Sequence, residues 1–300
     1  MKHEFTIFGF GISAKITSCL LAKEGFSVCL ISDKDQKKEI SKTNLVTFLS
    51  RGSLNYLSSI FPNTKLFEEY PTIDSIHCEL NSLRGNKPQS IKFNDEKKQN
   101  LGKIVKNTDL EKYLNEEIGQ FSNINIIHGS YPSMVVNKKD GIKLKLHNRE
   151  EIDSDIFILS STKNNIADNI NIDFIKKDLE KVALSISVEG DINNANCAFQ
   201  KFTPNGPLAL LPYSENEASV VWSIKRNSKL LNKDNEELLQ IIGKHLSKYI
   251  SSIKMISNEK HKLQFAYAKN LVCKNTVLLG NIAHNIHPIA GQGLNLSIKY

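Results

Sequence analysis

Apolar positions in the first third of the chain come in short runs separated by glycine and by helically spaced residues. Phe5 to Phe8 runs into Gly9-Phe10-Gly11, and Ile16, Leu20 and Leu21 then recur before Gly25. This predicts a strand, a glycine turn and a helix stopped by glycine, with Phe26 to Ile31 as the next strand. Thr108-Asp-Leu-Glu111 has the form of a capping box, and Leu110, Tyr113, Leu114, Ile118 and Phe121 follow at helical spacing. Asn125 to Gly129, Val135-Val136, Ile142 to Leu146 and Ile156 to Leu159 read as further strands, with Asp140-Gly141 as a hairpin turn.

From Val182 the pattern becomes strand-rich. Ala183 to Val188, Leu208 to Pro212 and Ala218 to Ile224 are expected to form an antiparallel sheet. Asp234-Asn-Glu-Glu237 is predicted to start a long amphipathic helix through Leu238, Ile241, Ile242, Leu246, Tyr249 and Ile253, with a strand again at Leu263 to Ala268. The polar stretch Asn81 to Asn100 reads as a mobile loop or a hairpin. The expected class is α/β, with the two ends packing together and the antiparallel part inserted between them.

Composition narrows the function only modestly. The chain has 300 residues, a formal net charge of +7 and 40% hydrophobic content, enough for a sizeable core in one or two domains. Its lysines are scattered and not interleaved with aromatics, which argues against nucleic-acid binding. Cys19, Cys29, Cys78, Cys197 and Cys273 are odd in number and lack C-x-x-C spacing, so neither a disulfide framework nor a zinc site is expected. No apolar run is long enough to span a bilayer. A cytoplasmic setting is expected, with peripheral contact at the inner membrane left open.

Candidate chemistry lies at the two ends. Gly9-Phe10-Gly11-Ile12-Ser13-Ala14 is a G-x-G-x-x-A turn between a strand and a helix, the form that lets a pyrophosphate approach backbone amides. The same glycines also suit plain helix-on-sheet packing. The next strand ends in Ser32-Asp33, so the acidic residue expected on an adenosine ribose is one position late or replaced by a hydroxyl. Near the other end, a short strand stops at Gly280, and Gly291-Gln292-Gly293 opens a helix in which the chain ends. Unpaired amides and the positive end of a helix dipole make such a place suited to an anionic or electron-rich group.

Gly280-Asn-Ile-Ala-His-Asn-Ile-His287-Pro288-Ile-Ala-Gly291-Gln-Gly293-Leu-Asn295-Leu resembles the second FAD motif of aromatic-ring hydroxylases like p-hydroxybenzoate hydroxylase. It is most similar to the ubiquinone-biosynthesis branch, the 2-polyprenyl-6-methoxyphenol hydroxylases. Lys201-Phe-Thr-Pro-Asn-Gly206-Pro-Leu-Ala-Leu-Leu-Pro212 and Ala218-Ser-Val-Val-Trp222 resemble the same branch. The resemblance implies a Rossmann-like FAD-binding domain (1–72, 101–181 and 269–300) with an inserted, mostly antiparallel substrate domain (73–100 and 182–268). The resemblance also implies that a C-terminal part of the family fold lies outside this sequence. Gly9, Gly11 and Ala14 would then face the FAD pyrophosphate, and Ser32 or Asp33 the ribose. Asn281 would hold the ribityl or pyrophosphate region, and Pro288 would lie against the flavin. Gly291, Gln292, Gly293, Leu294 and Asn295 would present amides to its pyrimidine edge; Pro288, Gly291 and Gln292 are the catalytic candidates. The implied reaction is NAD(P)H reduction of FAD, addition of molecular oxygen to give a flavin hydroperoxide, and hydroxylation of a polyprenylated phenol in ubiquinone biosynthesis, at a membrane surface or in a biosynthetic complex.

Three departures stand against full conformity. The family's Asp-Gly motif is replaced by Ser160-Ser-Thr-Lys-Asn-Asn165. An arginine expected ahead of the helix near Ser53 to Ile60 is missing, Thr43-Asn-Leu-Val-Thr47 occupying that region. The sequence also stops at Tyr300 inside the flavin-facing helix, as a fragment or a shortened homologue would. These leave two alternatives, a catalytically weakened scaffold and an FAD oxidoreductase that does not hydroxylate. His284 and His287 lack a third ligand in sequence, so no metal is expected there. No nucleophile elbow of a Ser-His-Asp hydrolase is present.

Overall fold

A computed structural model describes residues 2–35, 43–80, 89–97, 99–161, 166, 170, 172–286 and 293–299. The predicted opening is observed: strand Lys2–Phe8, helix Ile12–Lys23 and strand Val28–Ile31. The two strands run parallel, with Phe5 opposite Val28 and Phe8 opposite Ile31. Glu151–Leu159 lies on the other side of Lys2–Phe8, also parallel, and is followed outward by Thr276–Leu278. Ile124–Ile127 adds to the Val28 edge. Ile7, Phe8, Val28, Leu30 and Leu159 are fully buried, the continuous apolar character of strands covered on both faces. Helices Ile12–Lys23 and Asn107–Ile118 cover one face. The hairpin Pro132–Lys138/Gly141–Leu146, turning at Lys139-Asp140, helps cover the other through Ile142, Leu144 and Leu146.

The second large sheet has the order His284–Asn285, Ile250–Ala268, Phe174–Ile192, Glu217–Lys225, Gly206–Pro212, Cys197–Thr203, Ser75–Leu80 and Gln89–Asn94 among the described residues. It is antiparallel except where Cys197–Thr203 meets Ser75–Leu80. Asn81 to Asn100 therefore contributes to a hairpin; residues 81–88 and 98 lie outside the described residues. Its two longest strands, Phe174–Ile192 and Ile250–Ala268, each have 19 residues, and the first runs through the expected boundary at 181/182. Alternate residues Leu184, Ile186, Val188, Val220 and Trp222 bury the outer face against helix Asn235–Leu246. The inner face meets the α/β half, where Ala198 and Tyr213 share a core with Leu49, Tyr70, Ile73 and Ile104. Leu49, Ile73 and Ile104 come from a small sheet of Val46–Ser50, Gly102–Lys106 and Thr72–Ile73. Tyr213 Oη also shares a 2.7 Å hydrogen bond with Ser187 Oγ on that inner face.

Two helix readings need correction. The helix opened by Asp234, whose side chain accepts from the Glu237 amide, ends at Leu246 instead of continuing through Tyr249 and Ile253. Ile250 instead begins the strand paired with Phe174–Ile192, because a long ladder satisfies more backbone groups than two extra helical turns. Thr108 does not cap its helix: the helix starts at Asn107, with Lys106 at the N-cap and no side-chain cap bond. No helix among the described residues is long and apolar enough to cross a membrane.

Candidate functional site

A cavity of about 410 Å³, within the size range of small-molecule sites, lies where the parallel strands end. Its walls converge from four stretches of chain: Gly11, Ile12 and Ser13; Val46 and Thr47; Asn107 and Glu111; and the segment from Gly280 to Ser297, with Ser160 beneath. Crevices outside the carboxyl ends of parallel strands are the usual ligand sites of α/β sheets.

Close packing at two glycines shapes this cavity. Gly9 has φ +131, and a Cβ there would stand 2.9 Å from Ser160 C and 3.1 Å from Ser161 N. Gly280, at φ +74, packs on Ser13, where an added Cβ would come within 3.3 Å of the hydroxyl. These two contacts draw three chain segments together. At Gly11 the opposite holds, since an added Cβ would meet nothing within 4 Å. Gly11 is the N-cap of Ile12–Lys23 and offers no side-chain cap, so the helix start faces the cavity with its amide donors uncovered by a cap.

The remaining candidates fall into distinct positions. Ala14 is fully buried in the core, so its methyl brings helix and sheet together and does not line the cavity. Ser32 is also fully buried, and its Oγ accepts from the Lys34 amide at 3.2 Å, closing a local turn. Asp33 is partly exposed, which makes it the more accessible of the two ribose candidates. Asn281, Gly293 and Leu294 line the cavity. Asn295 does something else with its side chain: Oδ1 accepts from the Ser50 amide at 2.8 Å and Nδ2 donates to Phe48 O at 2.5 Å. It pins helix Gly293–Lys299 to strand Val46–Ser50. Pro288, Gly291 and Gln292 lie outside the described residues, as does His287.

Sequence reasoning missed the opposite wall. Thr47 Oγ1 donates to Asn107 Oδ1 at 2.7 Å, and Glu111 stands one helical turn beyond. Glu111, expected from its spacing to complete a cap, lies with Asn107 on the polar side of a helix whose Leu110, Leu114 and Ile118 are buried. A carboxylate suits hydroxyl groups and repels phosphate, so this wall favours a polyol. The arginine of this region, Arg51, starts the helix Arg51–Ile60 and pairs with Asp95 at 3.0 Å; it is not among the residues lining the cavity.

Solved structures share the fold. p-Nitrophenol 4-monooxygenase PnpA of Pseudomonas putida superposes with a TM-score of 0.79 at 11% identity, covering 99% of this chain and 77% of the other. PqsL of Pseudomonas aeruginosa, described as a probable FAD-dependent monooxygenase, gives 0.77 at 15% identity, covering 100% and 84%. The fold is that of the FAD-dependent monooxygenases. In sequence the chain resembles ubiquinone-biosynthesis hydroxylases. It is 35% identical to the 3-demethoxyubiquinol 3-hydroxylase of Escherichia coli over 116 residues, 38% of this chain but only 30% of that protein. Over 98% of its length it is 21% identical to the ubiquinone hydroxylase UbiL of Rhodospirillum rubrum, of which it covers 69%. The human ubiquinone biosynthesis monooxygenase COQ6 is 20% identical, with 98% of this chain and 74% of the other covered. No protein-family model matches the chain.

Proposed function

We propose that this chain is an FAD-dependent monooxygenase that hydroxylates a polyprenylated phenol in ubiquinone biosynthesis, with NAD(P)H as reductant. The observation that carries the reading is the cradle at Gly9, Gly11 and Gly280: one glycine closes on the Ser160 backbone, one on the Ser13 side chain, and the third leaves open space before a helix start. The residues present fit FAD. Gly11, Ile12 and Ser13 would hold the pyrophosphate, Asp33 the adenosine ribose, and Asn281 with the Thr47–Asn107 pair and Glu111 the ribityl hydroxyls. Gly293 and Leu294, with Gly291, Gln292 and Pro288, would meet the flavin ring. When bound, FAD supplies the redox and oxygen chemistry, while these residues fix its position and exclude water.

Reconstitution with FAD followed by an absorbance spectrum tests this directly. A flavin spectrum retained through desalting, bleached by NADH or NADPH without air, is the expected result. Protein that stays colourless overturns the reading. A second reading, a scaffold descended from such enzymes, draws on Ser160, which brings a hydroxyl to the cavity where the family resemblance implies an Asp-Gly motif.

A further inference from the structure

A separate cavity of about 490 Å³ opens where one strand of the long antiparallel sheet gives out, and it shares no lining residue with the cavity at the ends of the parallel strands. Leu179, Glu180, Lys181, Lys225, Arg226 and Asn227 wall it. Strand Glu217–Lys225 pairs as far as Lys225 opposite Lys181, whereas Phe174–Ile192 and Ile250–Ala268 continue past that point as a two-stranded ribbon. Just beyond, Leu179 and Glu180 fall out of register with Ile250–Ala268, and Glu180 adopts φ +52. Two 2.8 Å bonds fix the irregularity, the Glu180 amide donating to Asp178 Oδ1 and the Arg226 amide to Glu180 O. The cavity is therefore built into the ladder.

Its charges sit in an arrangement that costs free energy. Lys181 and Lys225 stand directly opposite one another on the inner face, since the alternate residues Leu184 and Ile224 pack on the outer one. Cβ atoms so paired lie about 4.5–5.5 Å apart, and like charges there destabilise a sheet. Neither lysine has a carboxylate partner among the described residues. Arg226 differs, because it holds Asp178 through contacts of 2.6 and 2.7 Å. That bond, and after it the Glu180 amide, keeps the Asp178 carboxyl below the usual carboxylate range. Glu180 is then the single carboxylate on the wall, against two unpaired ammonium groups.

We propose that this cavity binds a sugar phosphate or nucleotide, with Lys181 and Lys225 closing on its phosphate or diphosphate group. A doubly charged anion between the two ammonium groups turns their mutual repulsion into a shared attraction. Lysine acts here as a point charge on a flexible stem, so two stems rising from opposed positions can converge on one anion. The volume, within the range of small-molecule sites, leaves room for a body beside the phosphate. The Asn227 amide and the Glu180 carboxylate suit hydroxyls and ring nitrogens of that body, and Leu179 offers it an apolar contact. The site stands independently of the FAD reading, because none of its residues lines the other cavity.

Calorimetric titration of the full chain tests this, with ADP-ribose as the probe, in the presence and absence of FAD. Vesicles of phosphatidylglycerol serve as a second source of phosphate groups. Wild-type protein is expected to bind ADP-ribose, less tightly as salt rises. Lys181→Gln and Lys225→Gln should each weaken binding about 10-fold or more, while FAD uptake is unchanged. In phosphate-free buffer each substitution should leave the melting temperature unchanged or higher, since it relieves a like-charge pair, yet abolish the rise that ADP-ribose gives the wild type. Lys244→Gln removes the same charge from an exposed helix position and should do neither. Absence of ADP-ribose binding, or binding that both lysine variants retain, overturns the site. Binding to the vesicles with none to ADP-ribose overturns it as well. Lysine-dependent ADP-ribose binding by protein that takes up no FAD would keep this site and sink the FAD reading alone.

Discussion

At the ends of the parallel strands Gly9 meets the Ser160 backbone and Gly280 the Ser13 side chain at close range, whereas the inner face of the antiparallel sheet is defined by the side chains it carries. The first region is a shape made by omission, since a single methyl group is too much at Gly9. The second is a set of functional groups on a frame whose apolar packing faces the other way, toward helix Asn235–Leu246. Mutations should therefore separate fold from function more readily in the second region than in the first.

The largest effect expected is on the frame itself. Trp222 is fully buried on the outer face, and its Nε1 donates to Gly206 O at 3.3 Å. Trp222→Ala should cost about 3–5 kcal/mol by denaturant titration. A cost below about 1 kcal/mol would mean that the outer face is not the frame. Gly9→Ala comes next, at roughly 1–3 kcal/mol for the strained backbone, with loss of bound flavin. Gly11→Ala, at an ordinary φ of −81 and in open space, should leave the melting temperature almost unchanged while weakening FAD uptake. Equal destabilisation by the two alanines would break the distinction between a packed glycine and an open one.

Asn295→Ala leaves the Ser50 amide and the Phe48 carbonyl without this partner and should cost roughly 1–3 kcal/mol. Proteolysis near residue 293 should become faster in that variant if the side chain is a pin. The smallest effect concerns His245, which sits edge-on to Trp222 at 5.6 Å. Burial pushes its pKa below the ordinary histidine value, and Lys201 adds to that. The unfolded chain then binds the proton more readily, so stability falls as pH drops through the unfolded value near 6.5 and toward the lower folded one. His245→Phe should shallow the loss of melting temperature between about pH 7 and pH 5. An unchanged slope would place the acid sensitivity elsewhere.

Much of the α/β half was legible because its signals are local. The turn at Gly9-Phe10-Gly11 sits between an apolar run and a helical spacing, and the structure has strand, turn and helix there. Phe174–Ile192 was less visible: Lys176-Lys177-Asp178 and Glu180-Lys181 do not read as a strand, and only their partners on Ile250–Ala268 make them one. The same ladder overrode helical spacing at Tyr249 and Ile253. Thr47, Asn107 and Glu111 meet only through tertiary packing, so no spacing along the chain could have joined them.

The paired strands Phe174–Ile192 and Ile250–Ala268 behave mechanically as a beam of about 60 Å that reaches from helix Asn235–Leu246 to the rim near Asn285. A continuous ladder is stiff, and load concentrates where it is interrupted. The interruptions fall between Asp178 and Lys181, between Ser187 and Val188, and between Glu189 and Asp191. At the first, Glu180 has φ +52 and Arg226 bridges to Asp178 at 2.6 Å across the irregularity. Of the three, this is the one with a side-chain bridge across it among the described residues, so the charge pair and the left-handed Glu180 together mark where the beam changes register.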